Sequence, residues 1–173
     1  MELLLGAGTR RLKVLSLPGT PADWTELVTL DFNGDHNPSV VHDLNVFPWP
    51  FADDTFDEVH AYEVMEHLGQ QGDFKRFFAD FSEIWRVLKP GGFFVGTSPA
   101  WNSPWAWGDP GHTRIMSREC LIYLDQTEYR QIGHTPMTDY RFCYKADLEV
   151  VASEHNNGTY FYGLKAHKPA RTI

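Results

Sequence analysis

Glu63, Glu66 and His67 fall within one pentapeptide, "EVMEH", at i, i+3 and i+4. On a helix beginning near Glu63 this spacing sets two carboxylates and an imidazole on one face. Such a group can take up and return a proton, the imidazole titrating nearest neutrality. The plainer alternative is a structural motif whose last residue, His67, bonds to backbone. A second stretch, "TSPAWNSPWAWGDPGHTR" from Thr97 to Arg114, is too rich in Pro and Gly for a helix. Trp101, Trp105 and Trp107 can line a substrate pocket there, with Asn102, His112 and Arg114 as polar points. The same tryptophans can instead cover an open sheet edge.

A different chemistry belongs to Gly6-Ala7-Gly8, which follows the apolar run "LLL". Glycines without a Cβ let a ligand approach the backbone closely. The next apolar run, "LVTLD", ends in Asp31, and a carboxylate at a strand tip can accept the hydroxyls of a ribose. "VVHDLN" then puts Asp43-Leu44 after a third strand, where the carboxylate can accept an adenine amino group. A dinucleotide fingerprint would require a third glycine at position 11, which is Arg11, so an oxidoreductase reading is the weaker one.

These residues need elements to carry them. Short apolar runs predict strands over Glu2–Leu5, Leu27–Phe32, Val40–His42, Phe56–Tyr62, Gly92–Thr97, Leu148–Glu154 and Thr159–Ala166. Phe74, Phe77, Phe78, Phe81, Ile84, Trp85 and Leu88 recur at helical spacing, which predicts a helix from Asp73 to Lys89. Asp73 is its expected N-cap, and Pro90-Gly91-Gly92 its stop. Pro18, Gly19 and Pro21 interrupt the stretch between Gly8 and Asp31, leaving at most a short helix from Thr20 to about Leu27. Asn157-Gly158 is the turn of a C-terminal hairpin.

The chain has 173 residues, 42% of them hydrophobic, which suits one domain with a proper core. A formal net charge of −8 with no basic block beyond Arg10-Arg11 argues against DNA, since polyanion affinity draws on phosphate neutralisation. The two cysteines are too few for a disulfide framework or a cysteine zinc site. Neither a signal peptide nor a membrane-length apolar run is present, so a cytoplasmic location without membrane association is expected.

In order along the chain, Gly6-Ala7-Gly8, Asp31, Asp43, Phe56-Asp57-Glu58-Val59, Val64-Met65-Glu66-His67-Leu68 and Leu88-Lys89-Pro90-Gly91-Gly92 resemble the class I S-adenosylmethionine (SAM)-dependent methyltransferases. The resemblance covers nearly the whole chain. It implies an α/β fold: a Rossmann-like three-layer sandwich with a seven-stranded mixed sheet ending in an antiparallel hairpin. It also implies SAM as cofactor, with Gly6, Ala7 and Gly8 beside the methionine portion and Asp31 on the ribose. Asp43 and Leu44 would meet the adenine, and backbone at Tyr62 and Glu63 would close the other side. Glu66, His67 and His112 become the candidate catalytic residues, and Trp101, Asn102, Trp105 and Arg114 the candidate acceptor contacts. Similar Glu-x-x-Glu-His segments occur in metal-assisted O-methyltransferases, so the resemblance allows a divalent ion with His112 as a further ligand. Nothing precedes Met1 to supply the family's covering helix, so the single domain, residues 1–173, is expected to lack that lid. The expected reaction moves the SAM methyl group to an O- or N-nucleophile on a small molecule or polymer end. The alternative is a non-catalytic module of the same fold that binds a partner or a second copy of itself.

Overall fold

The computed structural model describes residues 1–172. Five parallel strands form the body of the sheet: β1 (Glu2–Leu5), β2 (Leu27–Asp31), β3 (Val40–Val41), β4 (Phe56–Tyr62) and β5 (Leu88–Pro99). β6 (Leu148–Asn156) and β7 (Thr159–Ala166) make the closing hairpin, β7 pairing antiparallel with β5. The order is β3-β2-β1-β4-β5-β7-β6, so strand order reverses between β1 and β4. A crevice opens at such a point beyond the carboxyl ends of the strands. The expected seven-stranded mixed sheet is the one observed.

Side chains alternate across each strand, and the two faces of this sheet differ in chemistry. One face carries Leu3, Leu5, Leu30, Val59, Ala61, Phe94 and Leu164, all buried. Helix α1 (Phe74–Val87) packs there through Phe77, Phe78, Phe81, Ile84 and Val87. Its N-cap is Asp73, whose carboxylate accepts from Arg76 N at 3.0 Å. It ends two residues earlier than expected, because Leu88 is already extended and opens β5 by pairing with Phe56.

The opposite face carries Glu2, Glu58 and His60, buried and polar. No helix covers it. The Thr20–Leu27 helix is not formed: Thr20 Oγ1 instead accepts from Leu17 N at 3.0 Å and closes a turn. Residues 9–26 cross the sheet as an irregular outer layer, with Leu17 against Gly163 and Trp24 edge-on to His60. Proline and glycine in this segment remove the donors and the stiffness a helix needs. Two one-turn helices, α2 (Trp105–Gly108) and α3 (Arg118–Leu121), and short 3-10 turns complete the described elements; α2 stands within the Thr97–Arg114 stretch expected to hold no helix, a single turn fitting between Pro104 and Pro110. Among the described residues no helix is long and apolar enough to cross a membrane.

Candidate active site

β1 ends at Leu5, and the chain turns at Gly6 and Gly8 with φ of +55° and +50°. A Cβ on Gly6 would lie 2.6 Å from Val64 Cγ2, so conformation and space both require glycine there. A Cβ on Gly8 would meet nothing within 4 Å. The turn borders a cavity of about 350 Å³ that also touches Asp31, His36, Asp43, Leu44, Asn45, Glu63 and His67. Its size is ordinary for a small-molecule site. Asp31 at the tip of β2, Asp43 in the loop just after β3 and the glycine turn thus share one cleft at the reversal of strand order. Ala7 and Tyr62 stand apart from it: Ala7 N donates to Leu30 O, and Tyr62 faces the other side of the glycine turn.

Asp31 is held rigidly. One oxygen accepts from Gly8 N at 2.7 Å, the other from Asn33 N at 2.8 Å. Burial pushes the carboxyl up, but these two backbone donors and nearby His36 outweigh it and hold its pKa below the usual range. His36 Nδ1 lies 3.4 Å from the carboxylate and makes no well-directed hydrogen bond. It is a buried ring nitrogen beside Asp31, on a residue that lines the cleft and that no local pattern marks as functional. Asp43 is also anionic, since the backbone and side-chain amides of Asn45 donate to its Oδ1 and lower its pKa. Arg11 explains the missing third glycine. Its guanidinium donates to the carbonyls of Ala7, Gly8 and His36, tying the glycine turn to the loop after β2. A helix N-terminus would present N–H groups at that place; here a side chain binds the carbonyls instead.

The helix expected from Glu63 is not formed. Glu63 sits at φ +55°, and only a single 3-10 turn, Met65–His67, follows. The side chains therefore do not share a helical face: Glu63 is exposed, whereas Glu66 is 1% exposed. Ser98 Oγ donates to Glu66 Oε2 at 2.9 Å, and Glu66 Oε1 has no partner. Burial, with Glu63 nearby, raises the Glu66 pKa well above the carboxylate range. Glu66, His67 and His112 nevertheless converge, each offering a ligand atom within 4.8 Å of the others. The backbone brings them together, because Thr113 N and Arg114 N both donate to Glu66 O. His67 Nδ1 pairs with Gly111 O at 3.0 Å and His112 Nδ1 with Trp105 O at 2.8 Å. A carbonyl only accepts, so both Nδ1 atoms carry hydrogen, and in the neutral form of each ring Nε2 is the atom with the lone pair.

The four acceptor contacts expected in the Trp101–Arg114 segment do not gather at this cleft. Trp101 and Trp105 are 57% and 72% exposed, and Asn102 lies between them on the surface. Arg114 is buried, donating to the carbonyls of Leu68, Gln70 and Asp73 and stacking over Phe77. It fastens the loop that leads into α1.

Residues 25–96 match the methyltransferase domain family. No curated protein matches the sequence. Among solved structures, a chain of the Haloferax volcanii complex containing the Trm112 methyltransferase activator is 17% identical, with a TM-score of 0.59 over 96% of this chain and 82% of that one. A SAM-dependent methyltransferase from Archaeoglobus fulgidus is 17% identical at TM-score 0.57, covering 95% and 85%. The N-methyltransferase NodS from Bradyrhizobium japonicum is 14% identical at TM-score 0.55, covering 96% and 85%. Residues 25–96 thus resemble a methyltransferase domain, and the chain has the fold of the SAM-dependent methyltransferases it is similar to.

Proposed function

We propose that this protein binds SAM in the Gly6–Asp31–Asp43 cleft and transfers its methyl group to an oxygen or nitrogen nucleophile. The observation that carries this reading is the shared cavity itself. Asp31 and Asp43, both anionic, stand where a ribose and an adenine amino group would need acceptors, and bare glycine turns make room for the amino-acid tail. The reaction is an in-line displacement in which positioning supplies much of the rate. The acceptor's lone pair forms the new bond to carbon as the carbon–sulfur bond breaks, and S-adenosylhomocysteine (SAH) leaves. Calorimetric titration with SAM, SAH and NAD tests the reading: binding of the first two supports it, and binding of NAD alone overturns it.

Glu66, His67 and His112 are the proposed catalytic group. The Nε2 lone pairs of the two histidines can receive the acceptor's proton. The same donor set fits a divalent transition ion: two imidazoles oriented by backbone carbonyls and a buried carboxylate oxygen without a partner. A bound ion would lower the pKa of an acceptor hydroxyl. Titration with Zn²⁺ and Mn²⁺, followed by His112→Ala, tests this; equal affinity in the variant removes the ion from the proposal.

One observation favours a second reading. Trp101, Trp105 and Trp107 stand 57%, 72% and 72% exposed on α2 and the turn before it, and the Haloferax structure contains an activator protein. Clustered exposed aromatics suit a protein interface. In this reading the segment docks a partner or a second copy. Light scattering of the wild type and Trp105→Ser checks self-association.

A further inference from the structure

We propose that the methyl acceptor is an apolar small molecule with a single reactive hydroxyl or amine, seated in a second cavity between Val14, Tyr62, Thr97 and Phe161. The proposal rests on the methyl-transfer reading and names its substrate class. This cavity measures about 540 Å³ and touches Gly6, Gly8 and Glu63, which also line the cofactor cleft. The two cavities therefore adjoin at the glycine turn and Glu63.

The chemistry of the lining selects the occupant. The floor is buried strand, with Leu4 and Thr97 each 3% exposed. The outer wall is an extended stretch in which alternate side chains face opposite ways. Lys13 turns inward, whereas Leu12 and Val14 stand 66% and 53% exposed at the mouth. Single exposed apolar residues mean little, but these two border a cavity with Phe161 on its far side. The hydroxyls of Thr9, Thr97 and Thr159 are its polar points, the Tyr62 hydroxyl being engaged by Val14 N and His60, and Arg10 and Glu63 are the charges. One cation beside one carboxylate is no site for a phosphate backbone, which needs several unopposed cations. The lining therefore favours a small apolar molecule over a polymer end.

The wall is also preformed. Lys13 Nζ donates to Glu58 Oε1 at 3.0 Å, both side chains almost fully buried. Glu58 Oε2 pairs with His60 Nε2 at 2.9 Å, and His60 Nδ1 with the Tyr62 hydroxyl at 2.7 Å. That hydroxyl accepts in turn from Val14 N at 3.2 Å. Four linked side chains thus lock residues 13 and 14 onto the sheet, so little ordering is left for the ligand to supply. In the reaction the acceptor oxygen or nitrogen forms a bond to the methyl carbon and the carbon–sulfur electrons leave on sulfur. Neither His67 nor His112 lines this cavity, so the acceptor's proton passes to water, which can relay it to the Nε2 atoms of those histidines.

The test uses the full chain saturated with SAH and two fluorescent probes, 4-methylumbelliferone and 1-naphthylamine. Val14→Trp fills the cavity from an exposed position and keeps the backbone N–H that Tyr62 uses. Val151→Trp, on the edge strand β6 away from both cavities, is the control. At least one probe is expected to bind wild type and Val151→Trp saturably and Val14→Trp about tenfold or more weaker, with SAH affinity unchanged in all three. Methyl label from SAM should then appear on the probe's oxygen or nitrogen. The proposal is overturned if neither probe binds, if Val14→Trp binds them equally, or if label moves only to polymer. Loss of SAH binding in Val14→Trp alone would assign the cavity to the cofactor, which also overturns it. Failure of wild type to bind SAH would instead remove the methyl-transfer reading, and this one with it.

Discussion

Asp31→Asn is the most informative perturbation of the cofactor cleft. The carboxylate has about four acceptor sites, and backbone N–H groups of Gly8 and Asn33 fill two of them. The remaining two suit a pair of ribose hydroxyls, each hydrogen bond to a charged acceptor being worth about 1.5–3 kcal/mol. The amide loses the charge and one acceptor oxygen, so one such bond disappears and the other weakens. The expected loss is about 2–4 kcal/mol, or ~30- to 700-fold in SAH affinity. In the free protein the new NH₂ must face either the Gly8 or the Asn33 N–H, leaving buried donors opposed at a cost of about 1–3 kcal/mol. Calorimetry with SAH at a temperature well below the variant's melting point separates the two effects. Asp43→Asn is the internal comparison: its side chain offers one free oxygen, so about 1–2 kcal/mol is expected. If folded Asp31→Asn binds SAH within about threefold of wild type, the ribose assignment is wrong.

Three further outcomes follow from the geometry. Gly6→Ala forces a Cβ into Val64 at a positive φ and is expected to cost about 2–4 kcal/mol in urea unfolding, whereas Gly8→Ala, with open space, should cost about 1. Lys13→Met strands the buried Glu58 carboxylate and should destabilise by roughly 3–5 kcal/mol, a loss that Lys13→Met/Glu58→Gln partly restores; additive losses would mean the two do not couple. Burial raises the Asp80 pKa to about 6 against the pull of Arg76. An acid with a raised folded pKa favours folding while protonated, so this contribution is present below about pH 4 and lost by about pH 6. It amounts to at most ~3 kcal/mol. Asp80→Asn keeps an acceptor for Arg76 and should flatten stability against pH across that window; an unchanged slope would assign the pH dependence elsewhere.

Much of the fold was legible because burial imposes a period. β1, β4 and β7 have the bounds that the apolar runs suggest, and the phenylalanine stripe of α1 lies against the sheet as its spacing requires. Gly6, Gly8, Asp31 and Asp43 were legible for a related reason. Parallel strands in register end on one edge, so residues at strand tips meet there whatever lies between them. Where local pattern and tertiary contact conflict, the pattern misled. Glu63 to His67 has helical spacing, yet the chain leaves β4 through a left-handed residue, and the 111–114 segment, bonded to Glu66 O, brings His112 beside His67.

The sequence alone determined the succession of strands along the chain, the long helix α1, the glycine turn and the two carboxylates of the cleft, because these follow from periodicity and from what a residue's backbone permits. Only the tertiary structure decided that Arg11 holds the glycine turn, that Lys13 reaches Glu58 across 45 residues, and that Glu66 is sealed behind Ser98. Each of those depends on which partner stands across a gap in space. A buried charge is stable only beside such a partner, and linear spacing carries no record of it.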